Sequence, residues 1–213
     1  MLSRVAPSPS IHECAIVWIM LYEPPAKILE RYADVLINFA LGGGKGIKRG
    51  EVVQLICYES AKPLFVHLRR AIWRAGGHVI SDYRPDNDEA FNVDREFYLY
   101  TEEEQLSFFP GKYLKGLIDQ IDHVVVIDSQ TDKEALAGID PQKIMKRGLA
   151  LKPYLDWRNE KENKGKFTWT VALYGTEAMA KAAGLSLKDY WQQIIKACYL
   201  DAVDPIAKWR EDR

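Results

Sequence analysis

The chain's 213 residues suit one medium-sized domain, or one large domain with a short appendage. Apolar residues at 47% and charged residues at 28% exclude a disordered, collagenous or membrane-embedded polypeptide. Lys and Arg, 29 in all, nearly balance 30 Asp and Glu, so no global charge points to nucleic acid or an acidic membrane surface.

The longest apolar run, Cys14 to Tyr22, has nine residues, short of the ~20 that a helix needs to cross a bilayer. Only Arg4 precedes it as a base, and no small-residue cleavage pattern follows, so a signal peptide is not expected. Residues 1–24 are expected to be a loose extension, with Met20 just ahead of the first helix. Pro24-Pro25 opens that helix, because proline is tolerated in a first turn. Ile28, Leu29, Tyr32, Val35, Leu36, Phe39 and Ala40 form its apolar stripe, and Gly42-Gly43-Gly44 stops it.

Val52 to Tyr58 is a near-continuous apolar run, the pattern of a strand buried on both faces. Ser60 is expected to cap the helix that follows, through Phe65, Leu68, Ile72 and Trp73 to Gly76-Gly77. His78 to Ser81 is then a second strand. The unit from Glu51 to Asp82 spans 32 residues, the size of one βαβ crossover. Thr101 to Glu104 is predicted to be a capping box in a helical middle section. His123 to Asp128 is a third buried strand, and Asp140-Pro141 starts a long basic helix that breaks near Lys152-Pro153.

Thr168 to Tyr174 is a fourth strand, in which bulky and small residues alternate, so one face is less buried. Thr176 caps a short helix ending at Gly184, and Ser186 with Asp189 makes another capping box. Leu187, Tyr190, Trp191, Ile194, Ile195 and Cys198 form the strongest stripe in the chain, and Asp204-Pro205 caps a last helix carrying Trp209. Alternating strands and helices predict an α/β three-layer sandwich around a mostly parallel sheet.

Charge is unevenly distributed. Asp82 to Glu104 holds nine acids against two bases, and Pro141 to Lys166 eight bases against three acids. Such blocks are solvated faces, a charged cavity rim or a contact between subunits. Cys14, Cys57 and Cys198 are odd in number and carry no metal or redox spacing, which points to free thiols in a reducing, cytoplasmic setting.

No catalytic constellation emerges from the residues themselves. His12, His67, His78 and His123 lack the spacing that sets two ligands on one helix face, and structural roles are expected for all four. Gly42 to Gly46 follows a helix and precedes a strand, the reverse of a phosphate-binding loop, and is read as a linking turn. The first βα turn, Tyr58-Glu59-Ser60-Ala61-Lys62, has no glycine to admit a pyrophosphate, which argues against a dinucleotide enzyme. Asp82, Asp86, Asp88 and Glu89 lack the glycine and distal glutamate of a calcium loop and read as a solvated acidic loop. Ser60, Ser107 and Ser186 have no nucleophile-elbow surroundings.

The last third carries a resemblance. Phe167 to Ala180, Ala183 to Trp191 and Asp204 to Trp209 resemble the thermophilic metallo-aminopeptidases of the aminopeptidase T and aminopeptidase S type. The helix around Tyr32-Ala33, the turn Ile47 to Glu51, the strand leading to Ala61 to Leu64, Phe109-Pro110 and the strand from Asp122 to Ile127 are similar too, in the same order. Two departures stand out: Gly175 where the family usually has proline, which is expected to loosen that turn, and the glycine-rich insertion at 42–46.

The resemblance implies the N-terminal domain of a two-domain enzyme, covering residues 25–213, that removes N-terminal residues from peptides. It implies two divalent metal ions (Zn, Co or Mg) whose ligands lie in the family's second half, so none is expected on this chain alone. It implies a peptide substrate and either a homodimer or a complementary C-terminal half around a shared cavity, with no nucleic acid and no membrane as partners. Trp169, Tyr174 and Thr176 are the residues expected to face that cavity, because they flank a strand exit. The isolated chain is expected to be inactive. The alternatives are a stand-alone α/β binding or dimerisation module, or a small-molecule α/β enzyme of unrelated chemistry.

Overall fold

A computed structural model describes residues 22–88 and 90–212. The first helix, α1 (Ala26–Val35), starts after Pro25 and buries Leu29, Tyr32, Ala33 and Val35. It continues through a π-helical turn, Leu36–Ala40, into the glycine-rich segment. That segment folds back on the helix end, which explains its composition. A Cβ on Gly46 (φ +75°) would stand 2.7 Å from the Asn38 backbone, and one on Gly42 (φ +61°) would stand 2.1 Å from the Gly46 carbonyl oxygen. The linking turn is therefore a close backbone packing with no room for side chains.

Four strands follow the sequence pattern closely: β1 (Val52–Tyr58), β2 (His78–Arg84), β3 (His123–Asp128) and β4 (Thr168–Leu173). They form one all-parallel sheet in the order β2-β1-β3-β4. Residues of alternate parity serve opposite cores. Val53, Leu55, Cys57, Val125, Ile127 and Ala172 pack with α1, α2 (Lys62–Arg74) and α9 (Leu187–Ala197). Val52, Val124, Ile56 and Val126 pack with Ile118 of α5 (Gly111–Gln120), Ile121, Phe167 and, in α7 (Lys152–Asn163), Tyr154 and Trp157. The result is the expected helix–sheet–helix sandwich.

The caps differ in detail from the sequence reading. Ser60 lies in a short 3₁₀ turn and does not cap α2, which starts with no side-chain cap and with Pro63 in its first turn. Thr101 makes no capping box either; its hydroxyl donates back to the Phe97 carbonyl at the end of α3 (Val93–Tyr100). The box forms one residue later, between Glu102 and Gln105, at the start of α4 (Glu103–Ser107). A longer carboxylate there reaches the orphan amide as well as a hydroxyl would. Ser186 accepts from the Asp189 amide, but the Asp189 carboxylate takes the Ser186 hydroxyl, not its amide. Asp140, Thr176 and Asp204 cap α6 (Pro141–Ala150), α8 (Glu177–Ala182) and α10 (Pro205–Glu211) as predicted. The basic helix breaks at Leu151, ahead of Pro153.

That basic stretch has a structural use. Lys143 donates to the Tyr98 carbonyl (2.8 Å), Arg147 to Phe108 (2.7 Å), and Lys161 to Ile118 (2.8 Å) and Ile121 (2.5 Å). Its cations therefore sit on the carboxyl ends of α3, α4 and α5, where the helix dipole is negative. Among the described residues, no helix is long and apolar enough to cross a membrane.

Candidate functional site

In a parallel sheet, a crevice opens at the carboxyl ends of two neighbouring strands whose connections depart in opposite directions. Here that place is between β1, which leads to β2, and β3, which leads to β4. A cavity of about 320 Å³ occupies it. Its wall combines Tyr58 from the end of β1, Asp86 and Asn87 after β2, Asp94 of α3, and Asp128 to Lys133 after β3.

The βα turn and the segment after β3 meet under this hollow. The Ser60 amide donates to the Asp86 carboxylate at 2.7 Å, and the Ser60 hydroxyl lies 3.2 Å from the other carboxylate oxygen and 2.9 Å from the Ser129 hydroxyl. Ser129 is buried. Ser60 caps no helix; it ties three loops together. Burial pushes the Asp86 carboxyl above the usual carboxylate range, although the Ser60 bonds pull the other way. Burial and the nearby Asp86 charge also push the Cys57 thiol up to about 12, so this cysteine is a buried, inert thiol. On the far wall, the Asn87 amide group donates to Asp94 at 2.7 Å and the Thr131 hydroxyl to the Asn87 carbonyl at 2.7 Å.

Four aspartates and one lysine line the hollow, so its field favours a positively charged group. The acidic stretch is thus a cavity rim at Asp86 and Asp94. Asp86 and Asp88 belong to loops with defined hydrogen bonds, while Glu89 lies outside the described residues. Among the described residues no histidine reaches the serine pair, and the arrangement is not a nucleophile with its base. Among the described residues, no three His, Cys, Asp or Glu side chains converge as a metal-binding group.

The three residues expected at a cavity are not brought together. Trp169 is the second residue of β4, toward its amino end; its indole donates to Glu162 at 3.0 Å and lies 5.4 Å from the Arg158 guanidinium. Tyr174 and Thr176 stand at the carboxyl end. Tyr174 is buried edge-on against Trp191, 5.0 Å between ring centroids. The Thr176 hydroxyl donates to the carbonyl of Gln130, one of the residues lining the hollow.

The opposite end of the sheet holds the one buried histidine among the described residues. His123 places Nδ1 2.8 Å from the Thr168 hydroxyl and Nε2 2.9 Å from the Glu51 carboxylate. Thr168 also accepts from the Gly42 amide at 3.0 Å. A neutral ring donating from Nε2 and accepting at Nδ1 satisfies every group in this line. It fastens the glycine turn to β3 and β4, the structural role expected for His123. His67 is half-buried on α2, His78 opens β2 exposed, and His12 lies outside the described residues.

Comparison with known proteins bears on the family and the fold. A sequence model of the family described as "Thermophilic metalloprotease (M29)" matches residues 26–213. Aminopeptidase PepS of Streptococcus thermophilus is 24% identical over 195 residues, 86% of this chain and 45% of that protein. The solved structure of wild-type AmpT from Thermus thermophilus superposes with a TM-score of 0.64 at 22% identity, over 87% of this chain and 45% of that one. The chain thus spans less than half the length of these relatives.

Proposed function

Because this chain belongs to the thermophilic metalloprotease family, we propose that it serves a metal-dependent aminopeptidase as the α/β half that frames the substrate cavity. The observation that carries the reading is the ordered match across residues 26–213. The substrate is a peptide, from which N-terminal residues are released.

The family implies two divalent ions, zinc, cobalt or magnesium, and the described residues do not fit them: no convergent cluster of oxygen and nitrogen ligands exists there. No hydrolytic step is therefore assigned to this chain. Its own contribution is a rigid wall. Tyr174 and Thr176 at the carboxyl end, and the exposed Trp169, face the shared cavity in this reading. The acidic hollow beside Thr176 favours the α-ammonium group that every aminopeptidase substrate carries. A complementary C-terminal half, or a second copy with one, completes the enzyme in the cytoplasm.

An assay of the purified chain on aminoacyl-nitroanilides with Co²⁺, Zn²⁺ or Mg²⁺ tests the division of labour. No turnover is expected. Chelator-sensitive turnover by the chain alone would show that the metal site lies within it and end the proposal.

A further inference from the structure

A second and larger hollow lies at the amino pole of the sheet, away from the acidic cavity. It holds about 710 Å³ between the glycine turn, the segment leading into β1, and the connections that enter β3 and β4. Gly42, Gly43, Gly46 and Gly165 give it stretches of wall without side chains, so a ligand can approach the backbone there. Four lysines line it: Lys45 on the glycine turn, Lys48 ahead of β1, Lys161 of α7 and Lys166 ahead of β4.

The carboxylates in the same wall are already committed. Glu51 accepts from the Lys48 amide at 2.5 Å and lies 2.9 Å from Nε2 of His123. Asp122 accepts from the Val52 amide at 2.9 Å, and Asp119 is ion-paired with Lys115. Lys161 is committed too, to the carbonyls of Ile118 and Ile121, and both ring nitrogens of His123 are occupied. The other cations are not. Lys45 and Lys166 are exposed and have no hydrogen bond or ion pair among the described residues. The Lys48 side chain is 82% exposed, with its ammonium 3.9 Å from Glu51.

An adjoining hollow of about 220 Å³ supplies the contrast. It shares Asp119, Lys161 and Lys166 with the larger one and adds Lys115 and Lys164. Those two are matched by acids four residues away, Lys115 by Asp119 and Lys164 by Glu160 at 2.5 Å. Lys45 and Lys166 stand outside the helices and lack such a neighbour. A concave wall concentrates the field of unmatched like charges.

We infer that the larger hollow is a binding site for a small polyvalent oxyanion of the pyrophosphate type, held by Lys45, Lys48 and Lys166. Lysine suits such a ligand, being a compact charge with three donors on a flexible stem. Among the described residues no exposed aromatic ring lines the wall for a base to stack on; Phe167 is buried in the core. The site therefore selects charge density and not a nucleoside. Its grip comes from side chains of three segments, with no helix N-terminus involved, so it differs from a phosphate-binding loop. A bound oxyanion ties the glycine turn to the connection entering β4, and binding should raise the thermal midpoint.

Calorimetric titration of sodium pyrophosphate into the 213-residue chain tests the site, against orthophosphate and against sodium chloride at equal ionic strength. One pyrophosphate should bind with a sub-millimolar Kd, roughly tenfold tighter than orthophosphate or better, and should shift the Gly42, Gly46 and Thr168 amides in NMR spectra. Lys45→Gln and Lys166→Gln should each weaken binding roughly tenfold. Lys164→Gln, which removes a lysine already paired with Glu160, should leave it unchanged. A response no different from that to chloride, shifts confined to other parts of the chain, or an equal loss with Lys164→Gln overturns the proposal. So does a single-stranded oligonucleotide that binds more tightly than pyrophosphate, because the ligand would then be a polymer on a basic surface.

Discussion

The indole nitrogen of Trp191 donates a 3.1 Å hydrogen bond to the carbonyl of Gly175, across the turn that leaves β4. Trp191 is fully buried, and a Cβ on Gly175 would lie 2.9 Å from the Tyr190 ring and 3.0 Å from the indole nitrogen. The turn is therefore closed down on the α9 stripe, not loosened by its glycine. Gly175→Ala should destabilise the fold by ~1–3 kcal/mol through overpacking, read as a lower midpoint in urea unfolding. Trp191→Phe should destabilise it too, because the Gly175 carbonyl loses its buried donor.

The His123–Glu51 contact predicts a pH dependence. Burial pushes the Glu51 carboxyl up, but the His123 hydrogen bond, the Lys48 amide and the neighbouring positive charges leave it below its ordinary value. A carboxyl lowered in the fold adds stability above its unfolded pKa of ~4.3 and loses it as pH falls through the folded value. Glu51→Gln should therefore flatten the acid limb of a stability–pH curve below about pH 5. Its cost near neutral pH should stay within about 1 kcal/mol, because the carboxylate is partly in solvent. An unchanged acid limb would mean that Glu51 does not hold His123 in solution.

Asp86 behaves in the opposite sense. Burial raises its carboxyl, so its contribution is favourable below the unfolded pKa and is lost as pH rises through the folded value. Asp86→Asn keeps an oxygen for the Ser60 amide and removes the charge. The variant should have a higher Tm than the parent at pH 7 and no advantage at pH 3. The gain should be below about 1 kcal/mol, since solvent screens a half-exposed group. In the proposed enzyme, the same change should weaken binding of substrates through their ammonium group.

Gln54 sits buried in the middle of β1, facing the α5–α7 core, and its Oε1 has no hydrogen-bond partner among the described residues. Its strand neighbours on that face are Ile80 and Val124. Gln54→Met keeps the volume and removes an unpaired acceptor, so it should stabilise the protein by about 1–2 kcal/mol in thermal unfolding. A loss of stability would show that the amide has a partner.

The strands were legible because β1 and β3 are buried on both faces, and such strands are written as unbroken apolar runs. The helix caps at Asp140, Thr176 and Asp204 were legible for a local reason: a capping side chain reaches only two or three residues along its own chain. The hollow was not. Asp86 and Ser129 are 43 positions apart, and they meet only once β1 lies between β2 and β3. Strand order is a property of long-range packing that no local pattern records. Ser60 could be seen in the right turn but not assigned its partners. Chain direction alone puts Trp169, second in the strand that begins at Thr168, at the strand's entry and not its exit.

The partly buried line from Gly42 through Thr168 and His123 to Glu51 leaves the two poles of the sheet with different freedoms. At the amino pole a shift in any one member orphans the next, so insertions and exchanges there should be tolerated poorly in any library of variants. At the carboxyl pole the loops after β1, β2 and β3 meet through a few short side chains, and their lengths can drift without disturbing that rivet. Recognition can therefore diversify at one pole while the other keeps the scaffold in register.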